Sequence, residues 1–288
     1  MNNMQILKME FQFLFPLKKL IKKALKKLPL IEGILRRYVL SKIVFPEIEM
    51  LLLSRASKDV INIAIDIGAA KGGYSWILAP MSQRVVSFEP GYRHYEFFKN
   101  CLFNSNIELY NLALGDSATL VELYSIGENE DSLHTATISK LNPLSQMEMA
   151  MKHQVRQVTL DGFFEKEIKS GESIDFIKID VEGYELEVVV GGEELVRTFH
   201  PLIICEIEAR HNPNYRQVFN FLKEQGYGIF YYDSGQFRNV DLDSIISMQN
   251  HKLLDERLSG KVASKNNKYI NNFIFQHPNS RFRLIEDL

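Results

Sequence analysis

The stretch VINIAIDIGAAKGGYSW, residues 60–76, decides the fold. An apolar run ends in Asp66, passes through small residues at Gly68, Ala69 and Ala70, and opens a helical pattern after Gly72 and Gly73. A short apolar run bounded by glycines reads as a buried strand, and the small residues let backbone approach a ligand at the strand's C-terminal edge. The turn is not the dinucleotide G-x-G-x-x-G, because Ala70 stands where the second glycine belongs. A carboxylate at Asp66 suits a ligand carrying an ammonium and a sulfonium and repels a pyrophosphate.

Downstream, the pattern repeats. RVVSFEP (84–90) reads as a second strand and residues 91–103 as a helix; IELYNLALG (107–115) and TLVELYSI (119–126) follow. QVTLDGFF (157–164), IDFIKIDVEG (174–183), a helix over 184–198 and PLIICEIE (201–208) continue it. A helix over 214–225, GYGIFYYD (226–233) and NNFIFQH (271–277) close the chain, the last two as an antiparallel pair at the sheet edge. Strands alternating with helices predict a mostly parallel α/β sheet. Glu89 ends the second strand 23 residues after Asp66, the position from which an acid takes both ribose hydroxyls in nucleotide-binding units.

These residues resemble the FkbM methyltransferase family. The resemblance is carried by IDIGAAKGGYS (65–75), SFEPGYRHYEFFKNCLFN (87–104), NLALGDS (111–117), VTLDGFF (158–164), IDFIKIDVEGYELEVVVGG (174–192) and PLIICEIEARHN (201–212), and runs over roughly residues 60–233. It implies a Rossmann-like class I methyltransferase fold, a seven-stranded mostly parallel sheet with an antiparallel last strand. It also implies S-adenosylmethionine as methyl donor and a small-molecule or glycan hydroxyl as acceptor. By matching position, Asp66, Gly68 and Gly72, with Ala69 and Ser75 in the same segment, hold the methionine moiety; Glu89 holds the ribose; Ala113, Leu114 and Asp116 border the adenine.

Methyl transfer to an alcohol needs close alignment of donor and acceptor and a group to take the proton. The candidates stand at the ends of central strands: Asp180, beside the expected donor; Glu206 and Glu208, which alternation places on one face; and His211 just beyond. Glu182 supports the KIDVEG turn, and Asp161 caps a helix. Asp180, Glu206 and His211 also offer the donor atoms of a divalent-metal site, and the sequence leaves a metal open. The long polar stretch 127–154, with Ser132, His134, Met147, Met149 and Met151, reads as an adaptable lid over the acceptor.

Composition bounds the rest. Of the 288 residues, 45% are hydrophobic and 24% charged, an ordinary soluble balance. Residues 1–45 carry ten Lys or Arg against two Glu, a net +8 that leaves the remainder at −10, so the body has no nucleic-acid footprint. LKKLIKKALKKL (17–28) is an amphipathic basic helix that either packs on the body or lies on an anionic membrane surface. Helical patterns over 30–42 and 46–57 complete an N-terminal region, 1–57, ahead of a Rossmann-like domain over 58–288. The N-terminus lacks the order of a signal peptide and no apolar run spans a bilayer. Cys101 and Cys205 read as buried free thiols in a reducing compartment, and together these features lead to a cytoplasmic protein, peripheral at most. Two rivals remain: a nicotinamide-dependent oxidoreductase, and a non-catalytic membrane-associated adaptor that keeps the fold.

Overall fold

The computed structural model describes residues 53, 61–102, 104–126, 136–165, 167–250 and 269–286. The N-terminal helical patterns, the domain boundary at 57/58, Ser132 and His134 lie outside these residues. Leu53 is helical and fully buried.

The main sheet begins with β1 (Ile61–Ile67), which is buried at almost every position and needs cover on both faces. Helix α1 (Gly73–Leu78) follows the turn; β2 (Ser82–Phe88), α2 (Tyr92–Cys101) and β3 (Ile107–Tyr110) extend the parallel sheet outward. The chain then leaves to form β4 (Ala113–Leu114), β5 (Thr119–Ile126), β6 (Ala136–Thr137) and β7 (Ala150–Val158), a small second sheet in the order β4-β7-β5-β6. Helix α3 (Leu160–Phe164) leads back to β8 (Ile174–Ile179), parallel to β1 on its other side.

Helices α4 (Glu185–Val190) and α5 (Glu193–Phe199), then β9 (Leu202–Glu206) and α6 (Arg216–Glu224), build the second half. Strands β10 (Gly228–Asp233) and β11 (Gln236–Asn239), the short helix α7 (Ile245–Met248) and β12 (Asn272–Gln276) complete it. The main-sheet order is β11-β10-β12-β9-β8-β1-β2-β3. Helices α1 and α2, Leu53 and Phe282 cover one face; α3, α4, α5 and α6 cover the other.

This is the expected α/β architecture with an antiparallel strand near its end, and it differs in four places. The sheet has eight strands, because β11 folds back on β10 as a hairpin. The last two expected strands are not an edge pair: β12 inserts between β9 and β10, antiparallel to both. Burial explains the choice, since all five residues of β12 are buried and demand neighbours on either side, whereas β11 is mostly exposed and serves as the edge. QVTLDGFF is a strand only to Val158; Thr159 caps α3, its Oγ1 accepting the Gly162 N–H at 3.0 Å. The second half of the 127–154 stretch holds a 3-10 turn at Pro143–Gln146 and the start of β7, where Met151 pairs with Ser125, while Met147 and Met149 are exposed. Asp161 caps a helix as expected, but a distant one, accepting the N–H groups of Glu194 and Leu195 at 3.1 and 2.9 Å.

Candidate active site

Strand order reverses between β1 and β8, so the helices that follow them cover opposite faces and a crevice opens beyond their C-terminal ends. Two features of Gly68 hold this point together. Its φ of +74° suits glycine, and a side-chain carbon there would stand 1.8 Å from the Asp180 carbonyl oxygen. The Asp180 N–H in turn donates to the Ile67 carbonyl at 3.0 Å. The two strand ends are thereby pressed together beneath a cleft lined by Gly68, Ala70, Glu89, His94, Asp180 and Glu182, with an apolar wall of Leu112, Ala113, Leu114, Leu123 and Ile138. Its volume is small, about 80 Å³.

Glu89 is buried, and each carboxylate oxygen accepts one backbone N–H, from Ala70 at 2.8 Å and Gly91 at 2.7 Å. Ala70 reaches it from a left-handed conformation, φ +46°, so the first turn is latched to the end of the second strand. Burial pushes the Glu89 carboxyl up to about 7 against the pull of those two N–H groups, and the carboxylates of Asp66 and Asp180 push the same way.

The floor is charged as well. Asp66 is 1% exposed and accepts the Ser75 hydroxyl, which also lies 2.9 Å from the Ser87 hydroxyl. In register Asp66 stands between Ser87 of β2 and Lys178 of β8. Lys178 is equally buried, its ammonium 4.9 Å over the Tyr74 ring and donating to the Ile179 carbonyl at 3.3 Å. Asp66, Gly72 and Ser75 are not among the residues that line the cleft. Ala69 is buried with its N–H on the Phe88 carbonyl, and Gly72 meets the Phe98 ring. Asp116 is exposed beyond the wall and accepts the Ser117 hydroxyl at 3.0 Å. Of the expected donor residues, Gly68, Glu89, Ala113, Leu114 and Asp180 face the cleft.

The KIDVEG turn is the most constrained part of the site. Glu182 and Gly183 both adopt left-handed φ, +55° and +97°. Thr137 and Asn142 each donate to the Glu182 carbonyl at 2.7 Å, Asn212 donates to the Gly183 carbonyl at 3.0 Å, and Glu185 accepts the Gly183 N–H at 2.7 Å. A glutamate held in this region stores strain that the surroundings must offset, a pattern that clusters at functional sites. Burial pushes the Glu185 carboxyl up to about 7.

The outcome bears on His211. Its Nδ1 lies 2.7 Å from a Glu182 oxygen and its Nε2 lies 3.8 Å from Glu208. Burial opposes charge on the imidazole, but the bond to Glu182 prevails and holds its pKa above the ordinary value. His211 stands behind Glu182, and Glu182 faces the cleft. Glu208 is buried, which favours its neutral form, but bonds from Arg210 and from Tyr269 at 2.8 Å overcome this and keep it ionised. Asn271 donates to Glu206 and, at 3.0 Å, to Glu208, so Glu206 belongs to this polar support and not to the cleft wall.

Asp180, Glu206 and His211 are thus not gathered into a ligand set. Among the described residues no group of three or more His, Cys, Asp or Glu is arranged to hold a metal ion, and no helix is long and apolar enough to cross a membrane. Neither cysteine is disulfide-bonded among the described residues; Cys205 is buried and Cys101 only half-buried.

Sequence reasoning missed Lys178, Thr137, Asn142 and Asn212. Lys178 had a signal, a lone cation inside the apolar run IDFIKI. The other three are polar residues in loops or short strands, with nothing local to mark them.

Fold and cleft together define a Rossmann-like domain of the class I methyltransferase type. The chain belongs to the FkbM methyltransferase family: the methyltransferase FkbM domain matches residues 66–229, more than half of its length. No curated protein matches the sequence. Among solved structures, methyltransferase FkbM from Methylobacillus flagellatus KT is similar at 15% identity and TM-score 0.45, over 82% of this chain and 47% of that one. This chain therefore spans about half the length of that protein. The O-methyltransferase from Bacillus cereus in complex with SAH is 13% identical at TM-score 0.40, over 81% of this chain and 80% of that one. A putative methyltransferase from Streptococcus mutans, also in complex with SAH, is 13% identical at TM-score 0.40, over 68% and 92%. At these scores the fold assignment rests on this chain's own strand order.

Proposed function

We propose that the chain transfers a methyl group from S-adenosylmethionine to an oxygen, specifically a hydroxyl of a sugar or glycan. One observation supports the donor assignment: Glu89, Asp180 and Glu182, with His94, line a cleft at the switch point of the sheet whose remaining wall is largely apolar. Such a cleft suits a cationic nucleoside and opposes the pyrophosphate of a nicotinamide cofactor. When bound, S-adenosylmethionine supplies an electrophilic methyl on its sulfonium. Glu89 retains lone pairs beyond its two backbone bonds and offers them to the ribose hydroxyls. Leu112, Ala113, Leu114, Leu123 and Ile138 offer the purine an apolar wall.

An acceptor hydroxyl must shed its proton as it attacks. Glu182 is the group we assign to receive it, because it faces the cleft while one of its oxygens is fixed by His211. His211 is then a positioning residue and not the base itself. Asp180, pinned against Gly68, stands on the donor side of the same opening. The experiment that tests the function is incubation with methyl-labelled donor and glycans bearing free hydroxyls, followed by product mass and linkage analysis. Label that stays on the donor, or moves to nitrogen or carbon, rejects the reading.

The raised Glu89 value gives a pH dependence. A carboxylate accepts both ribose hydroxyls and the protonated form does not, so lowering the pH through 7 removes donor affinity. With a pKa of about 7, affinity for S-adenosylhomocysteine falls roughly tenfold between pH 8 and pH 6. Titration calorimetry at the two pH values measures this, and Glu89→Gln flattens it. An equally steep dependence in that variant assigns the proton elsewhere.

A further inference from the structure

Beyond β9 the chain buries a carboxylate that does not line the cleft, Glu208, 6% exposed. Burying a charge is costly unless it is paired, and Glu208 is paired on both oxygens. Its Oε1 accepts the Asn271 amide at 3.0 Å, and its Oε2 accepts the Tyr269 hydroxyl at 2.8 Å and the Arg210 guanidinium. These bonds leave Oε2 3.8 Å from Nε2 of His211, whose Nδ1 lies 2.7 Å from Glu182. The backbone enforces the approach. The His211 N–H donates to the Glu208 carbonyl at 3.0 Å, which closes a turn and brings the two side chains together. Asn212 donates to the Gly183 carbonyl at 3.0 Å, and a side-chain carbon at Gly183 would stand 2.8 Å from the His211 carbonyl oxygen. The loop therefore lies against the KIDVEG turn, and the imidazole sits between two carboxylates.

We infer that Glu208 is a positioning residue for the reaction: acting through His211, it orients the Glu182 carboxylate that faces the cleft. The inference rests on the reading of Glu182 as the group that receives the acceptor's proton. A neutral imidazole has one N–H and one lone pair, so it would turn the lone pair toward one of its two anionic neighbours. Only the imidazolium offers a donor to each. Glu182, His211, Glu208 and Arg210 then alternate in sign from the cleft to a guanidinium side chain that is 40% exposed. The charged and titratable groups that face the imidazole are Glu182 from the turn after β8 and Arg210 and Glu208 from its own loop; Tyr269, ahead of β12, acts on it through Glu208. Burial opposes the imidazolium and Glu182 favours it; Arg210 opposes it and Glu208 favours it. A bond from an imidazolium is stronger than one from a neutral imidazole, so the charge on Glu208 sets how firmly Glu182 is held.

The test is a proton NMR titration of the full chain that follows the ring resonances of its seven histidines, with those of His211 assigned by their loss in His211→Gln. In the wild type His211 should titrate above the ordinary imidazole value. Glu208→Gln should lower that midpoint by about half a pH unit or more, and Arg210→Gln should raise it, because one variant removes an attracting charge and the other a repelling one. A residue that only packs would not give opposite shifts. Arg210→Gln, on an exposed side chain, also covers the case in which Glu208→Gln fails to fold. At pH 7 Glu208→Gln should lower kcat on the acceptor found with labelled donor by about fivefold or more, with the KM for S-adenosylmethionine within about twofold of wild type. A midpoint unmoved in the variants that fold overturns the coupling. A shifted midpoint with wild-type kcat in Glu208→Gln, where Glu182→Gln has lost activity, overturns the positioning role and leaves the reading of Glu182 standing. Wild-type kcat in Glu182→Gln overturns both.

Discussion

Glu182→Gln lowers kcat on the true acceptor by about 10²–10⁴-fold and leaves affinity for S-adenosylhomocysteine within about twofold. Glutamine keeps the size of the side chain and an oxygen for His211, so the turn stays latched by Thr137, Asn142, Asn212 and Glu185. Only the ability to take a proton is lost, and the proton moves only in the transition state. His211→Gln should lower kcat less and shift its pH profile, because it frees the Glu182 carboxylate without removing it. Asp180→Asn separates the donor side: it should raise the KM for S-adenosylmethionine. Wild-type kcat in Glu182→Gln, together with a large loss in Asp180→Asn, would move the base to Asp180.

Glu89→Ala should weaken donor binding by about 1.5–3 kcal/mol, the range for hydrogen bonds to a charged group, or roughly tenfold to hundredfold in Kd. Two effects add. The ribose loses its acceptor, and the N–H groups of Ala70 and Gly91 lose theirs, which unlatches the first turn from β2. Titration calorimetry reads the first, and Glu89→Gln, which keeps an oxygen for one N–H, separates the two. Unchanged affinity in both variants rejects the ribose assignment.

The parts of this molecule legible in its sequence are those where one local pattern has one physical solution. Ile61–Ile67 with the glycine turn after it has nowhere to go but the centre of a parallel sheet, and Glu89 follows at nucleotide-binding distance. What stayed hidden depends on partners far along the chain. The placement of β12 between β9 and β10 follows from burial on both faces, which NNFIFQ shares with many strand types. Strand β7, AMKHQVRQV, exposes much of one face and so carries too few apolar residues to mark its period. His211 offered an imidazole of suitable chemistry, but only the fold shows that Glu182 stands between it and the cleft. Asp66 similarly ends the right strand, and only the fold shows that it accepts the Ser75 hydroxyl and pairs in register with Lys178.

On the proposed reading, the acidic cleft at the β1/β8 switch point binds a cationic nucleoside. Parallel calorimetric titrations of the wild-type chain at pH 8 with S-adenosylmethionine and with NAD test it most directly. Saturable binding of S-adenosylmethionine, with no heat of binding from NAD, is the expected result. Saturable binding of NAD with none from S-adenosylmethionine would contradict it.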